Sequence, residues 1–181
     1  MTDRFPFSLA FVLRHECVYA AGHDGDMAFI VCENVPGDSG GCTKFGIDAA
    51  SHPGIDIPNL TLDQATALYR NGEWSGCRCD DLRNGVDTAV FDCAVNNGAA
   101  VAGILLQRAI IRCGYGAVVD GIIGTQTIRA ASVINETELL ARLLQLRRER
   151  YTDIVLHHPA DAKFLKGWLA RVDDLERALF S

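Results

Sequence analysis

No apolar run in this chain is long enough to cross a bilayer: the longest, Phe5-Pro-Phe-Ser-Leu-Ala-Phe-Val-Leu13, stops at Arg14, His15 and Glu16, well short of the ~18 residues a span requires. Positive charge is not in excess either. With 17 Lys and Arg against 23 Asp and Glu, the net charge is -6, and an acidic surface repels phosphate, so neither nucleic acid nor stable membrane insertion is expected. An export signal is not expected either. The apolar stretch follows Arg4, but Asp3 nearly cancels that charge and no small-x-small cleavage site precedes His15, so this stretch reads as a first helix. There is no internal repeat, low-complexity tract or flexible linker, which excludes solenoids and Pro-rich spacers.

What remains is a chain of 181 residues, 49% apolar and 22% charged, enough for one ordinary core or two small domains sharing an interface. Seven cysteines stand at 17, 32, 42, 77, 79, 93 and 113. An odd number cannot pair completely, and without an export signal reduced thiols are the default. Cys17, Cys32 and Cys42 bracket one segment, which leaves a single disulfide there open. Cys77-Arg-Cys79 is spaced too tightly for a zinc site and has no neighbouring His, so no metal is expected.

Hydrophobic spacing predicts a first helix over residues 5–19. From Ala20 to Ser51 the chain is broken by Gly22, Gly25, Pro36, Gly37, Gly40, Gly41 and Gly46, too often for a long helix, and a short strand pair is expected near 27–33 and 43–47. Thr61-Leu-Asp-Gln64 reads as a capping box opening a helix that Asn71-Gly72 ends. Further helices are expected over 86–95, closed by Asn96-Asn-Gly98, over 99–113, from a Thr125 cap to 131, over 137–156 and from Pro159 onward.

Glu16 closes the apolar first helix, and Asp38 and Thr43 follow in the Gly-rich segment Asn34-Val-Pro-Gly-Asp-Ser-Gly-Gly-Cys-Thr-Lys-Phe-Gly-Ile47. Two carboxyls and a hydroxyl are the parts needed to break a glycosidic bond with water. The leaving oxygen must be protonated, and apolar surroundings together with the negative end of a helix favour a carboxyl that keeps its proton. An ionised carboxylate or a held water must then face the anomeric carbon. Asp38 suits that task, with Thr43 positioning water. Tyr69 and Trp74 offer rings for stacking on sugar or for core packing, and Asn96 and Asn97 offer amides for sugar hydroxyls or a helix cap. Asp92, inside an apolar helix, needs a partner, for which Arg108, Arg112 or a helix N-terminus is expected. Trp168 falls on an apolar stripe and reads as core.

His15-Glu-Cys-Val-Tyr19, the Asp38 to Ile47 segment, Phe91-Asp-Cys-Ala-Val-Asn-Asn-Gly98, Asp120-Gly-Ile-Ile-Gly124 and Lys163-Phe-Leu-Lys-Gly-Trp-Leu-Ala-Arg-Val172 together resemble glycoside hydrolase family 108. Its members are phage endolysins and bacterial secretion-activating proteins, regarded as N-acetylmuramidases. Glu16 and Tyr19 match the family's Glu-Gly-Gly-Tyr, with Cys17 and Val18 in place of the two glycines, and the interval from Tyr19 to Asp38 is longer than in the family.

The resemblance implies a mainly α, lysozyme-like fold with a small irregular or β-containing lobe over residues 20–60 and a glycan cleft beside it. It implies a catalytic part over 1–98 and a helical peptidoglycan-binding part over 99–181, packed into one unit. The activity implied is hydrolysis of the β-1,4 bond between N-acetylmuramic acid and N-acetylglucosamine, inverting by analogy with phage-type lysozymes. Glu16 would be the acid, Asp38 and Thr43 would act on water, and Tyr19, Tyr69, Trp74, Asn96 and Asn97 are the substrate-binding candidates. No cofactor is expected. A monomer acting on peptidoglycan glycan strands, in the periplasm or at the cell wall after synthesis in the cytoplasm, is expected. The alternatives are a non-catalytic wall-binding or secretion-associated protein on the same fold, and a lytic transglycosylase.

Overall fold

A computed structural model describes residues 3–23, 30–34 and 42–180. The architecture is mainly helical and lysozyme-like, with a small β-containing lobe. Helix α1 (Phe5–Glu16) places Phe5, Leu9, Val12 and Leu13 in the core. It ends three residues before the expected Tyr19, because Val18 and Tyr19 are extended: the Val31 amide donates to the Val18 carbonyl at 3.0 Å and Tyr19 bridges Ile30.

Strands β1 (Glu33–Asn34), β2 (Cys42–Lys44) and β3 (Ile47–Asp48) form an antiparallel sheet in that order. The expected pair is thus a three-stranded sheet, with Thr43 aligned between Glu33 and Asp48. Cys32 and Cys42 are joined as a disulfide, with their Cα atoms 5.8 Å apart, a separation that suits the bond. Helix α2 (Leu62–Tyr69) opens as its sequence dictates: the Gln64 amide donates to the Thr61 hydroxyl at 3.2 Å while the Thr61 amide donates to Gln64 Oε1 at 2.9 Å. Asn71-Gly72 does not stop it. The helix widens into a π turn over Arg70–Trp74, which delivers Trp74 to the core, where its indole donates to Asp80 at 2.8 Å.

Helices α3 (Val86–Asn97) and α4 (Ala99–Arg112) meet at Gly98, whose φ of +86° makes the sharp corner. Helices α5 (Thr125–Val133), α6 (Glu136–His157) and α7 (Ala162–Phe180) follow. Thr125 is the first residue of α5 rather than its cap, which falls on Gly124 with no side-chain bond. At α6 the Asn135 side chain caps, its Oδ1 accepting from the Glu138 amide at 3.1 Å.

By compactness the chain divides into two units. One comprises Leu9–Asn71; the other comprises the residues before Leu9 and those from Gly72 onward. The first unit buries Phe11, Val12, Phe45, Ile47, Ile57, Leu60, Ala65 and Tyr69. The second is built on α3, α4 and α6, with Phe5, Trp74 and Phe91 in edge-to-face contact at 5.2–5.8 Å.

At its centre Asp92, fully buried, accepts from Arg147 at 2.5 Å and from Arg171 at 2.8 Å. Burial alone would raise this carboxyl, but the two guanidiniums overcome it and hold it below the usual carboxylate range. The expected partners Arg108 and Arg112 are not used, because both are exposed on α4 and Arg112 pairs with Glu149. Burying two positive charges against one negative is retained only with good hydrogen bonding, and Arg147 extends the network by donating to the Tyr151 hydroxyl at 3.0 Å.

Candidate active site

Glu16 is the last residue of α1 and is half-buried. What it rests on is the turn between β2 and β3. Lys44 and Ile47 pair across a two-residue loop, Phe45-Gly46, with φ of +57° and +76°, the mirror-image turn whose twist matches that of the flanking strands. A Cβ added to Gly46 would lie 2.7 Å from Glu16 Cβ and 3.2 Å from Glu16 Cγ. The stem of the acid therefore lies directly on the Gly46 backbone, where no side chain fits.

The same added atom would lie 2.8 Å from the Tyr69 hydroxyl. That hydroxyl donates to the Phe45 carbonyl at 2.8 Å, so the end of α2 clamps the turn on which the acid sits. Phe45 is a bulky residue in the left-handed region, a conformation that persists only where surroundings impose it. Here the surroundings are its own burial, at 5% exposure, and the Tyr69 bond. Lys44 braces the strand end by donating to the Pro58 carbonyl at 3.2 Å.

Thr43 is half-buried on β2, two residues before the turn. Asp38 falls outside the described residues. Tyr19 is half-buried on the extended segment after Glu16. The ring of His15 packs against Phe11, centroids 4.7 Å apart. Burial, and next the charge of Glu16, push the Cys17 thiol up to about 12, so beside the acid stands a neutral thiol rather than a nucleophile. Asp48, opposite Thr43, is held below the usual carboxylate range by the Ser51 amide and hydroxyl.

Four expectations for substrate contact change. Tyr69, 4% exposed, and Trp74, 1% exposed, present no ring face to a sugar; both are core residues. The amides of Asn96 and Asn97 are engaged by the protein: Tyr151 donates to Asn96 Oδ1 at 2.5 Å, and Asn97 donates to Tyr151 at 3.0 Å and accepts from Arg150 at 3.3 Å. They tie α3 to α6 in the other unit. Trp168, half-buried and stacked on Tyr151 at 5.2 Å, is packing as expected.

Gly46 and Phe45 were not singled out by sequence reasoning. The signal available was a Phe-Gly pair between two short β-like runs, a weaker mark of a tight hairpin than Asn-Gly.

Residues 10–98 match the family model described as Glycosyl hydrolase 108, and residues 101–173 match the Predicted Peptidoglycan domain. The chain thus carries a glycosyl hydrolase 108 domain followed by a predicted peptidoglycan domain. Its structure is similar to that of Brucella abortus SagA, with a TM-score of 0.75 and 26% identity over 97% of this chain and 93% of that one. No curated protein matches the sequence. At family level the chain is thus a glycoside hydrolase with a peptidoglycan-related, lysozyme-like function. The two family matches meet between 98 and 101, whereas the compact units divide at 71, so α3 matches with Glu16 but packs with α4 and α6.

Proposed function

We propose that the protein is an N-acetylmuramidase, hydrolysing the β-1,4 bond between N-acetylmuramic acid and N-acetylglucosamine in peptidoglycan. The observation that carries this reading is the seating of Glu16 on Gly46, at the turn of the hairpin that bears Thr43. Glu16 delivers its proton to the leaving oxygen, and water, positioned by Asp38 and Thr43, attacks the anomeric carbon. Fixing the acid against backbone rather than against a mobile side chain keeps its carboxyl in place as the sugar changes shape. The chain works as a monomer on wall glycan, in the periplasm or at the wall. Among the described residues no helix is long and apolar enough to cross a membrane.

A zymogram on purified cell wall, with Glu16→Gln beside the parent, tests the acid. Clearing by the parent alone supports the proposal, and equal clearing by both removes Glu16 from the mechanism. Product masses test the reaction: each new reducing end carries one added water in hydrolysis, whereas an anhydro product assigns a transglycosylase.

A further inference from the structure

Along α4 and α6 runs a groove of about 730 Å³ lined on one side by Val101, Arg108 and Arg112 and on the other by Glu149, Arg150 and Asp153, with Arg150 donating to Asn97 at 3.3 Å. The volume falls within the ~300–1,000 Å³ usual for small-ligand sites. Its floor is apolar, with Leu105 and Leu146 buried beneath it. The helices run antiparallel along it: from the Arg112–Glu149 contact, the lining recedes toward Val101 on α4 and advances toward His158 on α6.

Two rungs of this ladder carry opposite charges, and they differ. At the first, Arg112 and Glu149 close a two-pronged ion pair at 2.9 and 2.7 Å. One helical turn further along each helix stand Arg108 and Asp153, both exposed, and the same i to i+4 step brings them to the next rung. Neither has a partner among the described residues. In a chain of net charge -6, an arginine that takes no carboxylate, opposite an aspartate that takes no cation, is an unfilled pair of receptors across an apolar floor.

From this arrangement we infer that the α4–α6 groove binds the short peptide carried by peptidoglycan, with a peptide carboxylate on Arg108, a diamino-acid ammonium on Asp153 and small aliphatic side chains on the floor. The inference rests on the peptidoglycan reading above and deepens it. Sugar is disfavoured as occupant because the lining has no Phe, Tyr or Trp to stack on a ring. The complementarity instead fits a ligand that bears both charges next to methyl groups.

The test uses the full chain and a synthetic stem tetrapeptide with free carboxylates and a free side-chain amine, alongside the same peptide amidated at its carboxylates. Backbone NMR shifts on titration should map to α4 and α6. Arg108→Ala and Asp153→Ala should each weaken binding about tenfold, as loss of one charge-assisted bond does, and amidation should remove the effect of Arg108→Ala. Both variants should cleave stem-free glycan strands at the parental rate. Absence of peptide binding, or binding that both variants leave unchanged, overturns the inference even if stem-free glycan is cleaved. Peptide binding in the groove without cleavage of stem-free glycan upholds it and removes the muramidase reading instead.

Discussion

In a Gly46→Ala variant a methyl carbon would have to occupy a point 2.7 Å from Glu16 Cβ and 2.8 Å from the Tyr69 hydroxyl, at a φ of +76°. The left-handed backbone alone costs alanine about 1–2 kcal/mol. Overpacking against two anchored groups adds about 1–3 kcal/mol. Gly54 separates the two contributions, since it lies in the same compact unit at φ +92° with nothing within 4 Å of an added Cβ. Gly54→Ala carries the backbone cost alone. Thermal melts should therefore place Gly46→Ala below Gly54→Ala by the packing contribution, roughly 2–12 °C for a chain of this length. Relief of the clash must move either the stem of Glu16 or the Tyr69 clamp, and an ångström of misplacement costs a catalytic group about a hundredfold in rate. Wall-clearing assays run well below both melting temperatures should show that loss for Gly46→Ala and near-parental clearing for Gly54→Ala. Equal melting temperatures and equal clearing for the two variants would refute the account of Glu16 resting on the turn.

Asp92→Asn leaves Arg147 and Arg171 buried without their counter-charge, and should lower stability by about 3–5 kcal/mol in denaturant melts. Because the Asp92 carboxyl is held below its usual range in the folded chain, its stabilisation is present above the unfolded value near pH ~4 and is lost as pH falls through the lower folded value; Asp92→Asn should lack that acid limb. Gln107→Ala removes the acceptor of the Asp120 and Gly121 amides, at 3.0 and 2.9 Å, and should cost about 1–3 kcal/mol, with exchange of those two amides accelerating; unchanged exchange would show that Gln107 does not hold the turn. Alkylation of the denatured, unreduced chain should modify Cys17, Cys77, Cys79, Cys93 and Cys113 alone, and reduction should add Cys32 and Cys42. In the native chain at pH 8, Cys17, raised to about 12, and Cys77, raised to about 11 by burial, should react slowly, and prompt modification would contradict their burial.

Local rules were readable where a few neighbouring residues settle the outcome. The Thr61–Gln64 box, the Gly98 corner and the helical stripes of α3, α4 and α6 all follow from short-range geometry. The extension of α2 through a π turn to Trp74 did not, because what overrides Asn71-Gly72 is the packing of an indole against Phe5 and Phe91. The partners of Asp92 were equally hidden. Sequence proximity points to Arg108 and Arg112, yet the charges that reach the carboxyl come from Arg147 and Arg171, 55 and 79 residues away, and only the packing of α3 against α6 and α7 selects them.

The candidate site shows the same division at closer range. That Glu16 ends an apolar helix and that Gly46 allows a tight hairpin are each local facts, written in adjacent residues. That the two touch is not local, and it explains residue choices no single-element rule reaches. Tyr69 looks like a ring for sugar until its hydroxyl is found on the Phe45 carbonyl, 24 residues away. There its size fills the core while its one polar atom fixes the turn. A phenylalanine would pack nearly as well and leave the Phe45 carbonyl without that donor, so the hydroxyl is the part of Tyr69 that serves the acid. Positioning at this site is thus divided among a glycine that leaves room, a strained Phe45 that shapes the turn and a tyrosine that holds it, none of which need touch substrate.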